Sequence, residues 1–578
     1  MPKKQANIWV LPGGPNSEWQ QLPADALARL HDLLGWDVNL YLAPAEFARV
    51  FNIGFAEGCA ENESGVSLLL TRLQQAGAVY KRTSLFAICQ GCGYPGSQSQ
   101  QCNKCGGNII SAEREGYYLR IQKYSEKIIA LISSENVVLP KFQQGYILNC
   151  FSNMPAEDYL LAIKVSRDKQ ELLPVDGFSE LASVLTGSGY SVDDGGFQRL
   201  WPNTYFFFPR ESLSDMYYWC GVLLALNLPQ PGGFVCHSGI KLLDQNQQEV
   251  SPLLLAQNYG RDSIRYLLLA AKAATSENIY SEDQIIQRIN HDLANELGNL
   301  VTRVISLVVH FAGGMVPAPN ILTRQNADLE LRERALDTPG KVEKHIKSQE
   351  LPQAIKAIKN LIGVTNRFIV STAPWQLAAD GDQQERLNTV LYNICESLRF
   401  IAVSLKPIMP ETAQRIMEQL GIEGIAELGA WSSLGQWGLL PVDSKVTPQS
   451  VLFPRIIPGY GGIGPYRDLI HREELARINM VVARVLSAEA VAEYEELLHL
   501  ILYDGRQRYS VFAPVARSSP PESLEGKKVV LLSNLMPTET EGLKNEGEIL
   551  VLATETGQRR PVFIADDIPE GSEISCLN

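Results

Sequence analysis

The fold is decided first by residues 8–42, which read IWVLPGGPNSEWQQLPADALARLHDLLGWDVNLYL. A short apolar run at 8–11 ends in a Pro/Gly-rich turn. Apolar residues then recur at helical spacing over 22–34 and stop at Gly35, a residue type that commonly ends helices. The run 37–42 has the composition of a second strand. Strand, helix and strand at this spacing form a βαβ unit, so we predict a parallel sheet.

Composition sets the class of protein that this sheet belongs to. The chain has 578 residues, 45% of them apolar and 20% charged, which suits several soluble globular domains. We find no signal peptide and no run of about 18 apolar residues that could span a membrane, so we expect a cytoplasmic protein without a membrane partner. The formal charge of −13 disfavours a broad phosphate-binding surface, so any RNA must be held by local basic or aromatic features.

Downstream of the α/β region the pattern changes twice. From about residue 276 to 420 it is helical: Ser281 and Gln284 form a capping box, and apolar residues from 286 to 308 recur at steps of three and four. A Gly/Pro/Ser-rich stretch, 424–464, is typical of a linker. The last part consists of short β-rich runs separated by turns, which predicts a small β-barrel.

Four of the ten cysteines are clustered as Cys89-x2-Cys92-x9-Cys102-x2-Cys105. Two CxxC turns in one loop can surround Zn²⁺ with four thiolates at about 2.3 Å, and such a closed tetrahedral site is structural. The alternative is four unrelated free thiols in a reducing compartment.

Five motifs in order resemble methionyl-tRNA synthetases of the bacterial type with an appended tRNA-binding OB domain. They are Ser166-Arg167-Asp168, Tyr259-Gly260-Arg261-Asp262-Ser263-Ile264-Arg265-Tyr266, Arg288-Ile289-Asn290-x-Asp292-Leu293-Ala294-Asn295, Ala373-Pro374-Trp375, and Gly526-Lys527-Lys528-Val529-Val530. The resemblance implies a multidomain α/β protein. Its parts are a class I synthetase Rossmann-like parallel-sheet domain with a zinc-knuckle insert, an all-α anticodon-binding bundle and a C-terminal β-barrel OB-fold.

The corresponding domain boundaries follow from the motifs. We expect a Rossmann-like domain over 1–245 with the zinc-knuckle insert at 83–114, and a stem-contact and helical anticodon-binding domain over 246–423. The linker is 424–464, and the OB-fold domain is 465–578.

The resemblance also implies ATP-binding motifs that this chain largely lacks. The family's two-histidine motif corresponds to residues 13–20, which contain no histidine, and His31 lies among leucines on the predicted helix as a structural residue. In the family's lysine-rich loop only Lys241 remains, and Asp244 stands where a second lysine is expected. Arg210 and Glu211 are either remnants of a nucleotide site or an ordinary solvated pair. We therefore assign no catalytic residue, and ATP binding is in question.

The anticodon-reading positions of the family correspond to Asn299, Arg303 and Trp375. Asn299 and Arg303 lie on one helical face away from the apolar stripe, where they could contact base edges, and Trp375 could stack on a base. The resemblance implies a tRNA with a CAU anticodon. The alternative is a core tryptophan beside a solvated polar pair.

The C-terminal domain has a composition that disfavours RNA. Residues 461–578 contain 12 Lys/Arg and 19 Asp/Glu, so counterion release offers little affinity there. We expect this domain to form a homodimer, another role of this domain in the family.

Three functions stay open at this stage. The first is a family paralogue that no longer charges tRNA and binds tRNA or a protein partner. The second is an ATP-dependent ligase that activates another amino acid, and the third is residual charging of tRNA with methionine.

Overall fold

The structure is a computed structural model in which two units are distinguished, Met1–Pro458 and Gly459–Asn578, and each is described by itself. It describes residues 3–11, 18–42, 45–54, 56–57, 63–91, 101–102, 105–135, 137–154, 157–164, 172–190, 197–237, 240–244, 247–271, 278–456, 479–491, 497–515, 519–535, 538–540, 543–553 and 559–574. Cys92, the motif 166–168 and residues 13–17 of the expected phosphate motif lie outside these ranges.

The first unit contains twelve strands among its described residues: β1 Gln5–Val10, β2 Asp37–Leu42, β3 Ala56–Glu57, β4 Val79–Cys89, β5 Ile109–Leu119, β6 Val138–Leu139, β7 Tyr159–Lys164, β8 Leu172–Pro174, β9 Thr204–Phe207, β10 Gly233–Val235, β11 Ile240–Leu243 and β12 Asn278–Ser281.

Its helices are α1 Gln21–Leu33, α2 Ala45–Val50, α3 Glu63–Gln75, α4 Ser125–Ser133, α5 Gln144–Ser152, α6 Asp176–Gly187, α7 Phe197–Leu200, α8 Leu213–Ala225, α9 Pro252–Tyr259, α10 Arg261–Leu269, α11 Glu282–Arg288, α12 Asn299–Ala312, α13 Asn326–Lys347, α14 Leu351–Thr372, α15 Pro374–Ala379, α16 Gln384–Leu405, α17 Pro410–Gln419 and α18 Ala426–Gly429.

The predicted parallel sheet is present. Its strand order is β3-β2-β1-β9-β10-β6, and every adjacent pair is parallel. β1 is buried along almost its whole length because helices cover both faces of the sheet, as parallel sheets require. The chain order reverses at the boundary between β1 and β9, where ligands of such folds usually bind.

A separate antiparallel sheet, β4-β5-β7-β8, carries the cysteine cluster at the far end of its long β4–β5 hairpin. The two strands pair from Val79 with Leu119 to Cys89 with Ile109. The expected insert is therefore a continuous extension of this sheet, and the cysteines lie at its tip.

The helical part begins with the predicted capping box, in which the Ser281 side chain accepts the Gln284 N–H. The long helix expected after it is continuous but contains a π-helical segment, Ile289–Gly298, between α11 and α12. Within this segment the Tyr266 hydroxyl and the Lys359 ammonium each donate to Asp292 at 2.6 Å. Side chains from two other helices thus contact the π-helical segment, whose turns are wider than those of an α-helix. The hydrophobic periodicity of the sequence does not reveal such a segment.

A buried arginine connects the sheet domain with the helices. The Arg265 guanidinium of α10 donates to the Asp25 carboxylate of α1 at 2.6 Å and to the Ile408 carbonyl at 2.9 Å. Because an unpaired charge in this position would be costly, the pair holds α1, α10 and the start of α17 in one arrangement.

The linker expected at 424–464 differs from what the structure shows for 424–456. Glu396, fully buried on α16, accepts the backbone N–H groups of Gly438, Leu439 and Leu440 at 2.8–3.2 Å. The Arg399 guanidinium, also fully buried, completes the site with a 2.7 Å contact to Glu396. This carboxylate binds the backbone of the Gly/Pro-rich stretch to the bundle, so the stretch is part of the first unit.

The second unit is the small antiparallel β-structure that the sequence predicts. Its strands are β13 Met480–Ala490, β14 Leu498–Tyr503, β15 Arg508–Ala513, β16 Lys528–Leu532, β17 Thr538–Thr540, β18 Leu543–Asn545, β19 Glu548–Ile549, β20 Val551–Ala553, β21 Arg559–Pro561 and β22 Phe563–Ile564, with one short helix, α19 Pro521–Leu524. The main sheet has the order β15-β14-β13-β16-β19, and β22 also pairs with β16. Alternate residues of β14 and β15 point into one apolar core, which confirms the near-barrel fold.

None of the helices in the described ranges has the length and apolar character needed to span a membrane.

Candidate functional site

The carboxyl ends of β9 and β10 lie next to each other and end in a polar cluster. Arg210 begins a short 3-10 turn after β9, and its guanidinium lies 4.3 Å from the centre of the Tyr146 ring. Cys236 follows β10 and is fully buried, which raises the pKa of its thiol to about 12. Arg210 is therefore held against an aromatic ring at the edge where nucleotides bind in such folds. Glu211 lies in the same turn and is exposed.

Lys241 and Asp244 lie on a tight hairpin. Lys241 is in β11, paired with Ile279 of β12. The Asp244 carboxylate accepts the Gln248 N–H at 2.8 Å, and Leu242 accepts the N–H of Val250. Asp244 thus has a local role in closing the turn, which explains its presence without reference to a phosphate.

A cavity of about 190 Å³ opens where this hairpin approaches the start of α14. His237 lies in its wall and contacts the Oε1 atom of Gln349 at 3.1 Å, and burial lowers the imidazole pKa to about 4. A neutral imidazole donates from Nε2 to this carboxamide oxygen. Gln349 holds a left-handed backbone conformation with φ of 59°. The other lining residues are Trp19, Phe142, Ile240, Leu268, Leu269, Ala271, Asn278, Glu350, Leu351, Pro352 and Gln353.

His237 is not among the site residues predicted from the sequence, although its position in the sequence carries a signal. The residue follows directly after the apolar run 233–236, and a histidine at the carboxyl end of a parallel strand is a candidate ligand-binding residue. Its partner Gln349 is 112 residues away, and no local pattern joins them. His31, in contrast, is 1% exposed and stacks on Trp36 with ring centres 4.4 Å apart, which is a packing role.

Three of the four predicted metal ligands converge at the tip of the β4–β5 hairpin. The Sγ atoms of Cys89, Cys102 and Cys105 all lie within 4.8 Å of one another, and Cys89 and Cys105 are 3.4 Å apart. Thiolates at about 2.3 Å from one tetrahedral ion would be about 3.8 Å apart. A Cβ on Gly107 would lie only 2.9 Å from the Cys89 sulfur, so the loop needs glycine there. The described ligands fit a tetrahedral thiolate site.

The predicted anticodon residues lie together on the helical bundle. The Arg303 guanidinium is 5.2 Å from the centre of the Trp375 ring, a cation–π contact. Trp375 is 42% exposed, so the core-tryptophan alternative is wrong. Asn299 is exposed one turn before Arg303 on α12. The arrangement presents an indole face, a guanidinium and a carboxamide to solvent.

Comparisons with known proteins agree with this architecture. The family described as "tRNA synthetases class I (M)" matches residues 74–305, and a "tRNA binding domain" family matches residues 480–573. A methionine–tRNA ligase of Clostridium tetani is 30% identical over 543 residues, which cover 88% of this chain and 84% of that protein. One of Caldanaerobacter subterraneus is 30% identical over 549 residues, covering 89% and 85%.

Solved structures show the same fold at lower identity. The free-state methionyl-tRNA synthetase of Mycobacterium tuberculosis has a TM-score of 0.67 at 23% identity, covering 79% of this chain and 99% of that one. Its complex with methionyl-adenylate has a TM-score of 0.64 and covers 78% and 100%.

Proposed function

The chain belongs to the methionine–tRNA ligase family of class I synthetases, and from this premise we propose that it binds tRNA while activating methionine poorly or not at all. The partner follows from the family to which the chain belongs. The loss of activation is our inference from the residues that stand in this sequence at the positions of the family's ATP-binding motifs.

The observation that carries the proposal is the Arg303–Trp375 pair. A guanidinium stacked on a 42% exposed indole is a surface that unpaired bases can stack on and hydrogen-bond to. Asn299, one turn away, adds a donor and an acceptor for a base edge. Anticodon nucleotides are unpaired and can adopt this geometry. We therefore propose recognition of an anticodon, with CAU as the sequence to test first.

The case against efficient catalysis rests on missing cations and histidines. Adenylate formation develops negative charge on phosphates, and its catalysis consists mainly of positive charge placed to meet it. Residues 12–21 contain no histidine, and residues 241–251 contain one lysine and no arginine. Loss of a comparable cationic contact costs about 10³ in rate.

A second candidate function keeps the ligase chemistry. The cavity beside Trp19 and His237 lies at the edge of the parallel sheet and has room for a small ligand. This observation favours an ATP-dependent ligase that activates a different amino acid, or methionine slowly.

Two structural roles complete the proposal. Cys89, Cys92, Cys102 and Cys105 would hold one Zn²⁺, which would stabilise the hairpin tip and supply no chemistry to a reaction. The second unit would form a homodimer, since Leu552 and Phe563 expose 62% and 49% of their surface on its short C-terminal strands.

Pyrophosphate exchange separates the two candidates. With ATP and methionine we expect no exchange above background, while a filter-binding titration detects tRNA in the same preparation. Robust exchange with methionine contradicts the proposed loss, and exchange with another amino acid alone favours the second candidate. Absence of tRNA binding would leave a protein partner as the alternative.

A further inference from the structure

The cavity beside His237 has apolar walls and the volume of a small ring system. Trp19, Ile240 and Leu268 line it and expose 6%, 6% and 2% of their surface. Phe142 also lines it but is 39% exposed, so an occupant would cover apolar surface that faces solvent in its absence. Apolar cavities of about 150 Å³ bind benzene, and this cavity measures about 190 Å³. It therefore has room for a ring system somewhat larger than benzene.

The cavity has no positive charge to offer an anion. None of its described lining residues is a lysine or an arginine. The acid among them is Glu350, whose carboxylate contacts the Nδ1 atom of His345 at 2.8 Å. A phosphate or a carboxylate that leaves water without meeting an opposite charge loses its hydration at a high free-energy cost. These walls therefore favour an uncharged occupant over a nucleotide or a free amino acid.

The hydrogen bonds of His237 fix which of its two nitrogen atoms can accept. The Gln349 Nε2 atom donates to the Ile346 carbonyl at 3.0 Å, so the Gln349 Oε1 atom is the one that faces His237. This oxygen accepts the His237 Nε2–H at 3.1 Å, which leaves a lone pair on Nδ1. Burial lowers the imidazole pKa to about 4, so the ring is neutral near pH 7. No described residue donates to Nδ1, and an edge contact with the Trp19 ring at 5.8 Å holds the imidazole in place.

The cavity joins two parts of the first unit. His237 follows β10 of the parallel sheet, whereas Leu351 and Pro352 begin α14. An occupant of the cavity therefore contacts both the end of the sheet and the start of this helix. Because contacts made by a ligand oppose local opening, binding should slow the opening of the first turns of α14.

We propose that this cavity binds an uncharged aromatic molecule that carries one ring N–H or O–H group. The ring fills the apolar volume beside Trp19 and Phe142, and its N–H or O–H donates to the Nδ1 atom of His237. Indole has this combination of an apolar body and a single donor. The site goes beyond the proposed tRNA binding and does not depend on it.

The test titrates the full chain with indole by isothermal calorimetry, and benzothiophene serves as a probe of similar shape without a donor. We expect one indole site per chain and about tenfold weaker binding of benzothiophene, because loss of the hydrogen bond leaves the Nδ1 acceptor unpaired. In His237→Phe the two probes should bind alike, since the acceptor is gone while an aromatic ring remains. Equal affinities of the wild type for the two probes, or no binding of indole, would overturn the proposal.

A second variant and a measurement on the wild type locate the site. Phe142→Ala should weaken binding of both probes severalfold, because it removes apolar surface from the wall. The matched control is Phe311→Ala, a partly exposed phenylalanine on α12 that does not line the cavity. Losses in the control alone would place the probes on another surface and overturn the proposal. In the wild type, indole should slow hydrogen exchange at the start of α14, and unchanged exchange there would contradict the site.

Charged probes separate this site from the second candidate function. Indole-3-acetate should bind more than about tenfold more weakly than indole, because its carboxylate meets no cation in the described wall. ATP and free amino acids should not displace indole. Displacement by either would overturn the proposal of an uncharged ligand and favour the ligase. Failure of tRNA binding overturns the proposed function alone, since neither the probes nor these variants involve the Arg303–Trp375 surface.

Discussion

The proposed binding of RNA bases by the helical bundle depends on the positions of a few side chains. Trp375 is the first residue after Pro374 at the start of α15, and the left-handed Ala373, φ 42°, ends α14 just before it. This tight turn between two helices leaves the indole at the surface, where Arg303 contacts it. The assignment to anticodon recognition stays a prediction.

Trp375→Ala should weaken binding of a CAU-bearing tRNA by about 1–3 kcal/mol, the contribution of one stacked base. Asn299→Ala should instead reduce discrimination against an altered anticodon, because base-edge contacts specify while phosphate contacts supply affinity. The matched control is Val370→Ala, an apolar side chain on α14 that is 59% exposed. Filter-binding titrations measure all three. Equal affinity for both anticodons, unchanged by Trp375→Ala, would contradict the assignment.

His31 predicts a pH dependence of stability. Burial, with a smaller contribution from Lys347, lowers its pKa from 6.5 to about 4. Between these values the unfolded chain binds a proton that the folded protein does not, so stability falls as the pH is lowered from 6.5 to 4, by up to about 3 kcal/mol. In urea unfolding at pH 7.5 and 5, His31→Gln should lose less stability on acidification than wild type. An unchanged pH dependence in His31→Gln would refute the prediction.

Secondary-structure elements are stabilised by residues far from them in sequence. The π-helical segment before α12 is contacted by Tyr266 and Lys359, and the 424–456 stretch is held by Glu396 of α16. The local sequence predicts a regular α-helix for the first segment and a linker for the second. Polar contacts with residues distant in sequence give both segments a different structure.

The β4–β5 hairpin predicts a response to metal loss. Purified protein should contain about one zinc per chain, and Cys89→Ser with Cys102→Ser should remove it. Because the metal closes only the hairpin tip, we expect faster hydrogen exchange in β4 and β5 with little change in the rest of the unit. Cys150→Ser, a half-buried thiol on α5, is the control and should retain the metal. A chain without metal under reducing conditions would disprove the site.

The whole molecule consists of two units that carry different surfaces. The first contains the parallel sheet, the hairpin and the bundle, and the second is a small β-structure rich in acidic residues. Because its acidic residues repel phosphate, we predict that the second unit adds little RNA affinity, and self-association stays our proposal for it.

Removal of residues 461–578 should convert a dimer to a monomer and hardly change tRNA affinity. Leu552→Glu with Phe563→Glu should have the same effect in the full chain, because charge in an apolar interface is costly. The control is Leu322→Glu, a 91% exposed leucine of the first unit. Sedimentation velocity measures the mass, and a monomeric wild type would exclude this role.

Features that depend on neighbouring residues could be predicted from the sequence. The βαβ unit, the Ser281 capping box and the convergence of Cys89 with Cys102 and Cys105 all follow from spacing, because their hydrogen bonds or ligands lie within a few turns or one loop. The class of fold followed from the order of these elements together with the family motifs.

Features that depend on distant contacts become visible in the folded protein alone. His237 contacts Gln349 across 112 residues, and the contact between the rings of Tyr80 and Tyr118 needs the register of two strands. The family resemblance places Asp244 where a phosphate-binding lysine is expected, and the structure shows that its carboxylate accepts the Gln248 N–H and closes a turn. Burial and long-range hydrogen bonds contribute free energies comparable to the secondary-structure propensity of a residue. The periodicity of the sequence carries no information about these distant contacts.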